Sequence, residues 1–192
     1  MEKTLEQQAA NCLKIVIFGP ESTGKTSLAK ALAEYYQTEW VPEFARDYLQ
    51  KKYDDANEIC APKDLLPISK GQMKAENLLA QKADKVLFCD TNVLETWVYA
   101  NAYFDNFENS PEASELQKAA EESRYDLYFL TDIDVPWEAD DLRDKPEERH
   151  EMFARFEKEL KQRNLPYVLV SGNPQKRLKK AVEVVDGLLN LR

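Results

Sequence analysis

Six positions near the start of the chain, Leu13–Phe18 (LKIVIF), form an almost unbroken apolar run. That is the pattern of a strand covered on both faces rather than on one. After a Gly-containing turn, Leu28, Ala31, Leu32 and Tyr35 recur at helical spacing, so a helix follows directly. Residues 38–41 predict a short second strand, and Pro42 introduces a helix that runs through Leu49. Residues 53–66 read as loop, with a helix beginning at Pro67 and ending near Asp84. A third buried strand spans 86–89 and closes on Asp90. Val93, Trp97, Ala100 and Phe104 then line one helical face. A helix over 112–123, a fourth strand over 125–131, an amphipathic helix over 147–163, a fifth strand over 166–171 and a last helix through Leu178, Val182, Val185 and Leu189 complete the pattern. Strands that alternate with helices imply a parallel sheet with helices on both faces, hence an α/β, three-layer fold.

The 192 residues fit a single domain, 1–192, with a polar N-terminal tail over 1–12. Residues 132–150 carry Pro136 and Trp137 among many charges and read as an excursion from the core, a candidate lid. A net charge of −9 argues against nucleic acid as a partner, because a phosphate backbone demands basic patches. It leaves room for one nucleotide, whose phosphates a cluster of backbone N–H groups and a lysine can hold. Cys12, Cys60 and Cys89 lack metal-site spacing and are odd in number, which suits a reducing compartment. No apolar run reaches membrane-spanning length, and the polar start is unlike a signal peptide; the expectation is a cytoplasmic protein without membrane contact.

Between the first strand and its helix lies Gly19, Pro20, Glu21, Ser22, Thr23, Gly24, Lys25, Thr26, a match to G-x-x-x-x-G-K-[ST] in the context that motif requires. Its glycines let N–H groups turn inward around an anion, and the helix N-terminus adds a positive end. Lys25 is placed to reach the β- and γ-phosphates of ATP, Thr26 to hold Mg²⁺, and Ser27 to complete the phosphate cradle. Asp90, at a strand end, is the carboxylate expected to share that magnesium; its competing reading is a helix N-cap. No Asn/Thr-Lys-x-Asp segment for guanine occurs, and a motor or AAA-type ATPase calls for a longer chain. A small chain with a polar segment between strands four and five fits a nucleoside or nucleoside-monophosphate kinase, with sheet order 2-3-1-4-5 and a lid. Arg143 and Arg149 are the lid arginines for the phosphates, each equally able to pair with nearby carboxylates.

The acceptor belongs near the carboxyl end of the second strand. Glu43 is the candidate to orient or accept the proton of a hydroxyl, and Arg46 and Asp47 lie within about one helical turn of it. Trp40 and Trp137 are ring platforms or plain packing residues. Asp132 is a further substrate contact or a solvated residue at the base of the lid, and Asn173, after strand five, sits where adenine is usually met or forms an ordinary strand-to-helix turn. His150 has no nucleophile motif beside it.

Five ordered segments, GPESTGKTSLAKALAEYY, WVPEFARDYL, FCDTN, YDLYFLTDIDVPWEADDLR and PYVLVSGNPQKRL, resemble the ribosylnicotinamide kinase domain of the NadR family from Lys14 to Leu178. The resemblance implies ATP-dependent phosphorylation of the ribose 5′-hydroxyl of nicotinamide riboside, giving nicotinamide mononucleotide in NAD salvage. It also implies a stand-alone kinase, without the helix-turn-helix and nucleotidyltransferase domains of full-length relatives. A kinase for another nucleoside and a non-catalytic, ATP-gated binding module are the remaining alternatives.

Overall fold

The computed structural model describes residues 5–137 and 146–191. Five parallel strands, β1 (Leu13–Phe18), β2 (Trp40–Val41), β3 (Val86–Asp90), β4 (Leu127–Thr131) and β5 (Tyr167–Val170), form one sheet of order β2-β3-β1-β4-β5. The central strand explains why LKIVIF lacks alternation. Leu13, Ile15 and Ile17 face one apolar cluster, while Val16 and Phe18 face the other. All six residues are buried.

The first cluster lies under α1 (Lys25–Tyr36) and α7 (Pro174–Asn190). The second lies under α3 (Pro62–Ala80), α4 (Val93–Tyr103), α5 (Pro111–Glu122) and α6 (Arg149–Gln162). Phe18 anchors that second layer, edge-on to Tyr128 at 5.4 Å and to Phe156 at 4.7 Å. Fully burying one such ring contributes about 1.5–3 kcal/mol.

The region read as loop over 53–66 is mostly helical. Helix α2 (Phe44–Ala56) extends beyond Leu49, and α3 starts at Pro62 with Pro67 inside it. Helix α2 buries none of its residues and is held by pairs one turn apart, Lys51–Asp55 and Gln50–Asp54. At its far end Lys52 Nζ reaches Asp64 at 2.7 Å, and Asp64 also accepts from the backbone N–H of Ala61. These contacts tie α2 to the first turn of α3 and fix the short connection between them.

Residues 5–12 are not a free tail. Leu5 is buried, Asn77 donates to the carbonyl of Glu6, and Gln81 donates to that of Ala9. Gln7 bonds Glu76, which also pairs with Lys14 at 3.1 Å and accepts from the hydroxyl of Tyr125. A polar composition suggests a solvated segment, but its amides match polar groups along α3. No described helix is long and apolar enough to cross a membrane.

Candidate active site

The phosphate-loop residues fold as an anion cradle. Gly19 has φ of 144°, and a Cβ there would lie 2.4 Å from the Oγ1 of Thr131, at the end of β4. Gly24 takes a left-handed conformation as the N-cap of α1, where it offers no side-chain acceptor to the first-turn N–H groups. The first turn of α1 carries no acidic residue, so its positive end stays available for an anion. Thr23 is buried, donates to the carbonyl of Pro20 and shares a 2.7 Å contact with Thr131. Gly19→Ala is therefore expected to abolish measurable ATP binding and to lower the melting temperature. Calorimetric titration with ATP checks this, and unchanged affinity would refute the close-packing account.

Lys25 is buried and lies among acceptors. Its Nζ donates to the carbonyls of Gly19 (2.8 Å) and Pro20 (3.0 Å), and it pairs with Glu95 Oε1 at 3.1 Å. Burial disfavours the ammonium, but Glu95, Glu43 and Asp90 outweigh it and raise the Lys25 pKa. Glu95 was absent from the sequence expectations. It occupies the third position of α4, whose start Asn92 fixes by accepting from the Glu95 N–H and donating to the Tyr128 hydroxyl. Burial pushes the Glu95 carboxyl well up, with Lys25 opposing.

Because Asn92 caps α4, Asp90 is not occupied as an N-cap. Its Oδ2 accepts from the Thr26 hydroxyl at 2.6 Å, and its Oδ1 is buried with no partner among the described residues. Burial raises its pKa to about 6, against the nearby Lys25. A hydroxyl and an orphaned carboxylate oxygen at the mouth of the phosphate loop fit a hydrated magnesium ion. Among the described residues no group of three His, Cys, Asp or Glu side chains could hold a metal by itself.

A cavity of about 740 Å³ runs from this loop towards α2 and α4. It brings together Glu21, Ser22, Thr23, Gly24, Lys25, Thr26 and Ser27 with Glu43 and Arg46. Glu43 is the half-buried residue that opens α2, and its carboxylate lies within electrostatic reach of Lys25. Tyr99, Tyr103 and Phe104 supply the aromatic wall, and Tyr99 stacks on Tyr103 at 5.6 Å.

Several expected contacts lie elsewhere. Trp40 does not line the cavity; it packs with the α1–α7 cluster, and Lys30 Nζ sits 5.3 Å from its ring. Alternation along β2 points Trp40 to the face opposite Val41, away from α3 and α4. Asp47 is exposed and outside the cavity. Asp132 bonds the backbone N–H of Ile133, and Asn173 caps α7 by accepting from the Lys176 N–H. Both are thereby turn-formers rather than cavity-lining groups. Trp137 stands 5.6 Å from the guanidinium of Arg149 in a small recess that shares Glu21, Tyr99 and Tyr103 with the main cavity. Arg149 donates to the carbonyls of Val135 and Ser22, which holds it beside the phosphate loop. Arg143 and the middle of the candidate lid lie outside the described residues.

Arg177 is the second group that sequence reasoning missed. It is buried, bonds the carbonyls of Thr23 (2.6 Å), Asp132 (2.9 Å) and Gly172 (2.8 Å), and pairs with Asp134. One guanidinium thus joins the phosphate loop to the ends of β4 and β5.

Loop, sheet order and cavity define a P-loop kinase fold. The chain belongs to the family whose model is described as "AAA domain", which matches residues 14–177. A domain so described thus fits within residues 14–177, against the expectation that an AAA-type ATPase calls for a longer chain. The chain is 28% identical over 178 residues to the trifunctional NAD biosynthesis/regulator protein NadR of Escherichia coli, a match covering 91% of this chain and 42% of that protein. It thus spans about two fifths of the length of the curated relatives it matches. Among solved structures, a NadR protein in complex with NR superposes with a TM-score of 0.76 at 23% identity, covering 95% of this chain and 53% of that one. A deoxyadenosine kinase from M. mycoides with products dCMP and dCDP gives 0.68 at 15% identity, covering 91% of this chain and 100% of that one. At such identities the structures establish the shared fold.

Proposed function

We propose that the chain is a magnesium-dependent kinase that transfers the γ-phosphoryl group of ATP to the ribose 5′-hydroxyl of nicotinamide riboside. One observation carries this reading: the phosphate loop, Glu43, Arg46 and an aromatic wall line one cavity. The similarity to NadR, a relative of which is solved with NR, supports the choice of acceptor.

In the proposed reaction the 5′-hydroxyl oxygen attacks the γ-phosphorus in line. The bond from that phosphorus to the bridging oxygen breaks, ADP departs, and the hydroxyl proton passes to Glu43. Lys25 neutralises charge on the transferring group, and the loop N–H groups from Gly19 to Ser27 position it. Arg149, and Arg143 from the lid, would close over the phosphates and exclude water. Thr26 and Asp90 would hold magnesium, which when bound offsets the charge between the β- and γ-phosphates. Arg46 is placed to meet ribose hydroxyls, and Tyr99 and Tyr103 take the stacking role expected of Trp40.

The pyridinium of nicotinamide riboside is a permanent cation, and aromatic faces beside carboxylates suit it. A desolvated cation–π contact contributes up to about 2 kcal/mol, roughly thirtyfold in affinity. A panel of nucleosides with ATP and magnesium, read by product mass, tests the proposal. The expected result is a kcat/KM for nicotinamide riboside at least about thirtyfold above those for uridine and deoxycytidine. Equal or better activity on those two would overturn the substrate, and no transfer to any acceptor would overturn the kinase.

A further inference from the structure

The carboxylate of Glu95 is buried to within 3% of full exclusion, yet only one of its oxygens is engaged. Oε1 holds the Lys25 ammonium at 3.1 Å; Oε2 has no partner among the described residues. The charged or titratable groups around it are Lys25 from α1, Glu43 at the start of α2, Asp90 at the end of β3 and Tyr99 one turn further along α4. Arg46 lines the same cavity. Arg177 lines it too, but the cation that pairs with Glu95 is Lys25, the same ammonium that the phosphates of ATP would attract.

We propose that Glu95 is a specificity-determining residue: the phosphates of ATP draw Lys25 off its carboxylate, and a cationic acceptor ring restores the missing positive charge. The inference rests on the reading of this cavity as a nicotinamide riboside kinase site. A buried carboxylate deprived of its partner is strongly disfavoured. With a neutral nucleoside it must stay bare or take up a proton, whereas a pyridinium nucleoside compensates its charge directly. ATP and the cationic acceptor thus strengthen each other's binding, and the coupling is equal in both directions. Glu95 lines the wall of the cavity beside Tyr99, between the phosphate loop and the aromatic face, where such a charge exchange needs it.

Nicotinamide riboside and its reduced dihydro form make the test, because they share the 5′-hydroxyl and nearly the same shape while only the first is charged. Calorimetry on the wild type, with and without a non-hydrolysable ATP analogue, is expected to show the analogue tightening the cationic form by about tenfold or more, a size ordinary for linked sites. The reduced form should gain less than about twofold. In Glu95→Gln, which keeps the side-chain shape, the ATP analogue should tighten the two forms alike, and the ratio of their KM values should fall to what the aromatic wall alone provides. Wild-type coupling that is the same for both forms would overturn the proposal without need of the variant. So would a Glu95→Gln enzyme that still discriminates between them as the wild type does. If the wild type phosphorylates neither form but accepts another nucleoside, the proposed substrate falls first and this inference falls with it.

Discussion

Replacing Lys25 with Ala is expected to lower turnover by about a hundred- to a thousandfold, the range for removing one preorganised charge-stabilising donor. The melting temperature should fall as well. From the motif alone, Lys25 would be a solvent-reaching ammonium whose loss spares the fold. In the structure it is buried, bonds two loop carbonyls and pairs with buried Glu95. Removing one member of a buried pair costs about 3–5 kcal/mol when the survivor stays charged. Glu95 already holds its proton more tightly than usual, so protonation should soften that loss. The double variant Lys25→Ala/Glu95→Gln should therefore regain thermal stability without regaining turnover. Paired measurements of phosphoryl transfer and thermal melting separate the two effects. Turnover of the single variant within about tenfold of the parent, roughly 1.4 kcal/mol of barrier, would remove Lys25 from the chemistry.

Arg177→Ala should be the most destabilising change among the cavity-lining side chains. Its guanidinium serves three backbone carbonyls and Asp134 while nearly excluded from water. Deleting it strands carbonyls on three separate loops, at about 1–3 kcal/mol for each acceptor left unsatisfied, while Asp134, 35% exposed, is rehydrated. For a chain of this size that corresponds to a fall in Tm on the order of 10 °C. The KM for ATP should rise too, because the carbonyl of Thr23 loses the strut that fixes the phosphate loop. Arg177→Lys should recover little, since a single ammonium cannot reach a fan of four acceptors. Thermal melts and ATP titration of the two variants check this. A melting point within about 2 °C of the parent would show that the strut is dispensable.

Much of the architecture was legible because its determinants are local. The LKIVIF run, the strand-loop-helix context of Gly19 to Thr26 and the closing Asp90 each carry their signal within a few residues. The pairing of strands into the order 2-3-1-4-5 agrees with the structure. The part of helix α2 beyond Leu49 escaped the reading because its residues, QKKYDDA, carry no apolar face; the side-chain pairs lie on exposed turns, and periodicity has nothing to register. Pro67 looked like a helix start although Pro62 already occupies that role five residues earlier. Glu95 and Arg177 escaped for a different reason. In sequence, one is a lone acid in an apolar turn and the other one cation in a lysine-rich stretch, PQKRLKK. Only the meeting of α4 and α7 with the phosphate loop distinguishes them from solvated neighbours. For Trp40 the sequence leaves ring platform and packing both open, since a single residue of register on a two-residue strand decides which face of the sheet it joins.

The two outer strands of the sheet bear on how the molecule behaves when crowded with copies of itself. A long, flat outer strand offers unpaired N–H and C=O groups on which a second chain can stack. Here β2 has only two residues and β5 only four, so neither side presents a template of useful length. Strand β5 does expose Leu169, an apolar side chain at 46% accessibility, but four residues give a visiting strand little purchase. The longer strands, β1, β3 and β4, all lie inside with neighbours on both sides. This arrangement keeps the β-forming segments out of reach of aggregation while the fold is intact, and exposes LKIVIF to it only when the sheet opens.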